Sequence, residues 1–271
     1  MAKLVAGKLG FDMTAVDFSD FTSLPTKETS TEITEVGASG ATYDFIGKNF
    51  KYSANIPQSG TITGFTFIDP HGHTEVTVTG GSMPVKDAFA FFESNDLNGF
   101  ESEFFKGKDT LTGSAKADVL EGFGGNDTLK GGGGADTLDG GDGHDTFVYA
   151  KASDSTSTKF DTIDGIDFNN SDSTSDTLKL PSAVDAIDSE ITKGKLTTAK
   201  FDAQLAKAVS ASHLGAHDAV LFDPSSGGEK HQFFLVVDLN GTAGYQAGQD
   251  LVIHLTDAMN TSDLGTSDFT T

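Results

Sequence analysis

Residues 107–149 read GKDTLTGSAKADVLEGFGGNDTLKGGGGADTLDGGDGHDTFVY. Aspartates fall at intervals of nine, at Asp109, Asp118, Asp127, Asp136 and Asp145, and each is followed two positions later by a large apolar residue: Leu111, Leu120, Leu129, Leu138 and Phe147. Four have glycine two positions before (Gly107, Gly125, Gly134, Gly143), and the last four have glycine five before (Gly113, Gly122, Gly131, Gly140). A glycine-rich six-residue turn followed by a three-residue strand winds a chain into a flattened spiral. The short strand places its central apolar residue inward and its neighbours outward. Each turn sends the chain back across the spiral, so Asp109, Asp127 and Asp145 are predicted to share one edge, and Asp118 and Asp136 the other. The plain alternative is a flexible glycine linker, which would have no reason to hold five Asp-x-apolar triplets in register.

Such edges suit one class of ligand. Calcium is a hard cation that takes six to eight oxygens from carboxylates and carbonyls, and glycine lets carbonyls crowd into a small volume. A site needs two stacked turns on one edge, which pairs 109 with 127, 127 with 145, and 118 with 136. The candidate metal-binding residues are therefore Gly107, Asp109, Asp118, Gly122, Gly124, Gly125, Asp127, Gly131, Gly133, Gly134, Asp136, Gly140, Asp142, Gly143 and Asp145. Lys116 stands where the pattern has glycine, which weakens the position built on Asp118. The expected number of calcium ions is two or three.

Composition points the same way. The 271 residues carry a net charge of −22, and 17 of the 40 acidic residues lie between positions 109 and 190, against five lysines. Without a cation those carboxylates repel and the glycine turns gain little by ordering, so binding free energy becomes folding free energy. Every basic residue is lysine and none form a patch, which excludes nucleic acid as a partner. Cysteine is absent, so disulfides and thiol chemistry are excluded. The start, Met1-Ala-Lys-Leu-Val-Ala-Gly-Lys8, lacks the apolar run of a signal peptide, and no stretch is long enough for a transmembrane segment.

The fold class expected is mainly β: a parallel β-roll capped by antiparallel β segments and a short helix. Four regions follow. Residues 1–35 read as a loosely ordered lead-in with short structure around Phe11 to Phe18. Residues 36–105 read as a β-rich cap, an antiparallel meander followed by helical pieces at Val85 to Phe92 and Phe100 to Phe105. The roll itself spans 106–180, with Asp161-Thr-Ile163, Ile166-Asp-Phe168 and Asp176-Thr-Leu178 adding strands across longer loops. Residues 181–271 read as an α+β cap: a helix over Thr198 to Leu214, with Thr198 as N-cap and Phe201, Leu205, Val209 and Leu214 on its apolar face, then strands at 219–222, 233–237 and 251–255.

The nonapeptide pattern resembles the calcium-binding RTX repeat, and Lys108 to Ala150 resembles the β-roll of RTX proteins, including the serralysin C-terminal domain. The continuation through Asp154-Ser and Phe160-Asp-Thr-Ile163 resembles the end of that domain. Ala219-Val-Leu-Phe-Asp223, Phe234-Leu-Val-Val-Asp238-Leu-Asn240-Gly241 and Ala243-Gly-Tyr-Gln-Ala-Gly248 resemble the bluetail segment of bacterial surface proteins. The resemblance implies an extracellular or cell-surface protein, secreted by a type I exporter that reads an uncleaved C-terminal signal. Asp263-Leu-Gly-Thr-Ser-Asp268-Phe-Thr-Thr271 is similar to such an end.

Other constellations are weaker. Asp69-Pro-His71-Gly-His73 has the residue types of a transition-metal site but reads more simply as a polar turn. Asp238-x-Asn240-Gly241 with Asp250 has a calcium-loop look, but lacks the third acid and terminal glutamate of an EF-hand. Neither His-Glu-x-x-His nor Gly-x-Ser-x-Gly occurs. The expectation is a non-enzymatic structural or matrix protein. The alternatives are a carbohydrate-binding module for polysaccharide, with an aromatic strip from Tyr43, Phe45, Tyr52 and Phe67, or a small secreted enzyme with its site in residues 36–105.

Overall fold

The computed structural model describes residues 3–6, 27–29, 32–36, 42–53, 56–68, 74–94, 96–169 and 174–271. Six strands precede the repeats: Lys3–Ala6 (β1), Lys27–Glu28 (β2), Glu32–Val36 (β3), Thr42–Ser53 (β4), Ile56–Ile68 (β5) and Thr74–Pro84 (β6). Helices Val85–Ser94 (α1) and Leu97–Phe104 (α2) follow. The five triplets are strands: Thr110–Thr112 (β7), Val119–Glu121 (β8), Thr128–Lys130 (β9), Thr137–Asp139 (β10) and Thr146–Val148 (β11). Beyond them lie Asp161–Asp164 (β12), Thr177–Lys179 (β13) and Lys195–Leu196 (β14). Then come helix Phe201–Ala208 (α3), Ala219–Phe222 (β15), Ser226–Gly227 (β16), Phe233–Val237 (β17), Leu251–Thr256 (β18) and Phe269–Thr270 (β19).

Alternate triplets belong to opposite sheets. β7, β9, β11, β13 and β19 pair in parallel in one; β8, β10, β12 and β18 pair in parallel in the other. Side chains alternate across a strand, so the middle residue of every triplet points between the sheets. Leu111, Leu120, Leu129, Leu138, Phe147, Ile163 and Leu178 are all buried there. Full burial of such a side chain contributes about 1.5–3 kcal/mol, and the stack of one per rung forms the roll's core.

Both ends of the roll continue into antiparallel sheet. At the start, β1 pairs in parallel with β7 and antiparallel with β6, joining the meander β6-β5-β4-β3-β2 to the same eleven-stranded sheet. Lys3–Ala6 is thus a rung, which differs from the lead-in expected over 1–35; Phe11 to Phe18 lies outside the described residues. The helices fall where the apolar spacing places them. Phe100, Phe104 and Phe105 are buried, and the Phe105 ring stacks on Phe123 at 6.4 Å, tying the end of α2 to the first turns of the roll.

At the far end, β15, β17 and β18 form the expected antiparallel unit. It is not a separate cap: β18 is itself a rung, paired with β12. These strands are apolar on both faces because both are covered, as in sheets sandwiched between layers. Leu221, Leu235, Val237, Leu251 and Ile253 join the roll core, while Val220, Phe222, Phe234, Val236 and Val252 pack with Phe201, Leu205, Val209 and Leu214. The helix is shorter than the apolar spacing suggested. It runs only over α3: Val209 leaves helical geometry at φ −96° and ψ 64°, and its carbonyl accepts the Tyr245 N–H at 2.8 Å instead of continuing the helix. Leu214 reaches the same core from the turn that follows. Thr198 is not the cap: its hydroxyl donates to Glu229 Oε1 at 2.8 Å, and Lys200 occupies the N-cap position.

Candidate metal centre

The aspartates form two ladders. On one edge the Asp109 N–H donates to Asp127 Oδ1 at 2.7 Å, Asp127 N–H to Asp145 Oδ1 at 2.8 Å, and Asp145 N–H to Asp176 Oδ1 at 2.8 Å. On the other, Asp118 N–H donates to Asp136 Oδ1 and Asp136 N–H to Asp161 Oδ1, both at 2.9 Å. Each rung is doubled through the backbone, since the Asp109, Asp118, Asp127, Asp136 and Asp145 carbonyls accept the threonine N–H one turn on. The edges and the pairings at 18 residues are those anticipated from spacing. Asp161 and Asp176 were read only as strand residues. They extend the ladders across 25 and 31 residues, because loop insertions break the period that would have revealed them.

These carboxylates are buried, and one oxygen of each does the ladder's work. The other oxygen of Asp127, Asp136 and Asp145 is buried with no hydrogen-bond partner, while Asp161 has the Tyr149 hydroxyl as its partner. Among the described residues no lysine or histidine forms an ion pair with these four. A buried anion so placed is expensive. Burial pushes the Asp127 carboxyl up to about 7, with Asp145 and Asp109 acting in the same sense and the Asp109 N–H opposing. Burial likewise raises Asp136 and Asp145 to about 6, Asp176 to about 7 and Asp161 to about 8.

The glycines serve this arrangement in two ways. A Cβ at Gly122 would lie 2.6 Å from Asp127 Oδ2, and the equivalent atoms at Gly131 and Gly140 would strike Asp136 and Asp145. The glycine five before each aspartate is thus space for the carboxylate one strand later. The glycine two before has another task. Gly125, Gly134 and Gly143 have φ of +137°, +150° and +134°, where the chain turns against the carbonyls of Gly107, Lys116 and Gly125 on the preceding turn of the same edge. Gly124 bridges Asp142 in parallel, and Gly133 N–H donates to the Ser114 carbonyl. Asp142 contributes backbone to the turn, while its side chain is exposed. Asp118 stands apart: Ser114 donates to its Oδ2 through both N–H (2.7 Å) and hydroxyl (3.0 Å). The turn carrying Lys116 thus provides its own polar partner.

Among the described residues no three acidic or histidine side chains close on one point at metal-ligand distance. The edges instead offer two carboxylates per position with turn carbonyls stacked beside them. Oxygen-only donors with uncompensated negative charge fit a hard divalent cation, calcium above all.

The loop between β17 and β18 brings Asp238 and Asp250 together. Asp238 Oδ1 accepts the N–H groups of Asn240 and Gly241, and Asp250 accepts Asn240 Nδ2 and the Gln246 N–H. It is a hydrogen-bonded turn joining two strands. The Asp69–His73 stretch lies outside the described residues. For the aromatic strip, Phe45 is buried and Phe67 is half-buried against the core; the side chains of Tyr43 and Tyr52 lie outside the described set.

Comparison with known proteins agrees with this geometry. The family model of the RTX calcium-binding nonapeptide repeat (4 copies) matches over residues 105–138, 112–147 and 121–154. No curated protein matches in sequence. Among solved structures, the chain is similar to the AlgE6R3 subunit of the Azotobacter vinelandii mannuronan C5-epimerase, in solution. The identity is 18% and the TM-score 0.27, covering 58% of this chain and 80% of that one. Residues 105–154 are thus similar to the RTX calcium-binding nonapeptide repeat, the segment that builds the roll.

Proposed function

We propose that this chain is a secreted protein that folds on meeting extracellular calcium and then serves as a surface- or matrix-associated structural element. The observation that carries the reading is the pair of aspartate ladders, in which the second oxygens of Asp127, Asp136 and Asp145 are buried without a hydrogen-bond partner. Where calcium is scarce, like charges along each edge oppose winding. Where it is abundant, each ion brings two turns together. With sites of Kd about 10⁻⁴ M, each contributes about 1.4 kcal/mol at about 1 mM calcium. Two or three such sites weigh heavily against the marginal stability of a domain. The chain then acts by binding and folding rather than by catalysis. A type I exporter gripping the C-terminal end is part of the same reading, supported by that segment's small, hydroxylated and acidic composition.

The test is circular dichroism of the full chain during a calcium titration, with magnesium as control. A cooperative coil-to-β transition between micromolar and millimolar calcium is the expected result. A chain fully folded in chelator and indifferent to calcium would overturn the switch.

A further inference from the structure

The start of β17 and the end of β18 flank a cavity of about 530 Å³ that shares no residue with the aspartate ladders. Phe233, Leu255 and Ala258, which pack on the roll core, supply its apolar lining. The polar lining comes from His254 on β18, from His231 and Gln232 ahead of β17, and from Asp257 and Thr261 beyond β18. A volume of this size suits a small ligand, and apolar walls with a few convergent polar groups are the usual form of such a site.

His254 is half-buried against the Phe234 and Phe160 rings, with centroids at 5.2 and 6.0 Å. Its Nδ1 pairs with Thr162 Oγ1 at 3.3 Å, which leaves Nε2 to meet a ligand. Burial lowers its pKa, against the opposing charge of Glu229, so near neutral pH the ring offers one donor and one acceptor. His231 is steered by Asp223, whose Oδ1 lies 3.6 Å from its Nδ1. His231 and Asp257 both hold left-handed backbone, at φ +61° and +47°. Glycine would adopt that conformation without strain, so neither turn needs a side chain there for its own geometry.

The lining narrows the ligand by chemistry. No lysine is among these residues and the chain carries a net charge of −22, so an anion is poorly matched. Among the described residues no three acidic or histidine side chains meet, so the cavity is not a metal chelate. A wholly apolar ligand would strip water from imidazole, carboxylate and amide without replacing its hydrogen bonds. What fits is a compact neutral molecule whose hydroxyls both donate and accept while its C–H face rests on the apolar lining. We propose that this cavity binds a neutral sugar ring, with Gln232, His254 and Asp257 bonding its hydroxyls. The inference deepens the matrix-associated reading and rests on it for the source of the sugar, a neutral glycan of that matrix.

The experiment uses the full chain in saturating calcium, titrated with methyl β-glucoside, methyl β-galactoside and methyl N-acetyl-β-glucosaminide. Imidazole C–H resonances are followed by proton NMR, with His254→Gln identifying the line of that residue. The expected result is a saturable shift of the His254 line by at least one of the three sugars, with Kd on the order of millimolar. In Asp257→Gly the left-handed backbone is relieved, and affinity is expected to fall about tenfold or more with the lost charged hydrogen bond. Should that variant not fold, Gln232→Ala takes its place with the same expected loss. Binding as tight as wild type in the folded variant overturns the proposal. So does the absence of any shift at about 100 mM of each sugar, and if the chain still folds with calcium the switch is left standing. A chain indifferent to calcium that still binds sugar supports the site and removes the switch.

Discussion

Glycine-for-alanine exchange at residue 122 separates space from backbone freedom. Gly122 has an ordinary φ, so the added methyl costs nothing in conformation, but it would sit 2.5 Å from the Gly140 carbonyl oxygen and 2.6 Å from Asp127 Oδ2. Gly122→Ala is expected to destabilise the calcium-loaded protein by about 1–3 kcal/mol, read as a shifted urea midpoint. An unshifted midpoint would mean that both the carboxylate and the Gly140 turn have room to move. Asp127 stands between Asp109 and Asp145 and would belong to two of the proposed ion positions, whereas Asp118 would belong to one and has Ser114 as a partner. Calorimetric titration should therefore show Asp127→Asn losing more calcium binding than Asp118→Asn. Equal losses would contradict edge sharing. The register of these residues was legible because a nine-residue period leaves no freedom in which edge a side chain occupies. The pairing of Asp161 with Tyr149 was not, because it depends on a loop whose course no local pattern fixes.

At the scale of elements, strands with strong alternation or continuous apolar runs were legible, including the meander and the unit β15, β17 and β18. What escaped were partners. Lys3–Ala6 is four residues with no turn signal to announce that it would lie between Leu111's strand and Val78's. Phe269–Thr270 is shorter still, yet it pairs with β13 and places Phe269 beside Leu178 at 9% exposure. Pairing over such separations is decided by which edge is left open once the rest has formed. Removing Asp263–Thr271 should uncover the Leu178 rung. The expected loss is about 1.5–3 kcal/mol, that of one large apolar side chain, measured by urea unfolding in saturating calcium. Unchanged stability would mean the terminal strand adds nothing to the roll.

Over the whole molecule, the raised carboxyls make stability depend on pH in a direction opposite to ordinary salt-bridged acids. Asp127, Asp136, Asp145, Asp161 and Asp176 have folded values of about 6 to 8, above the ordinary value of 3.8. The calcium-free fold holds those protons more tightly than the unfolded chain does. Its stability is therefore greatest below about pH 4 as far as these groups are concerned, and is lost as pH rises through 6 to 8. Circular dichroism in chelator should show more β structure at pH 5 than at pH 8. Calcium competes with the same protons, so its affinity should climb over that window. A metal-free protein more stable at pH 8 would show that these carboxyls are not buried as described. The terminal strand adds a different constraint. The Leu180 N–H donates to the Thr270 carbonyl, and Asp268 is buried beside it. Anything that grips Asp263–Thr271 in an open conformation competes with the roll for the same backbone groups. Asp263–Thr271 is therefore open to a partner only while the roll is unwound; completing the last rung withdraws it.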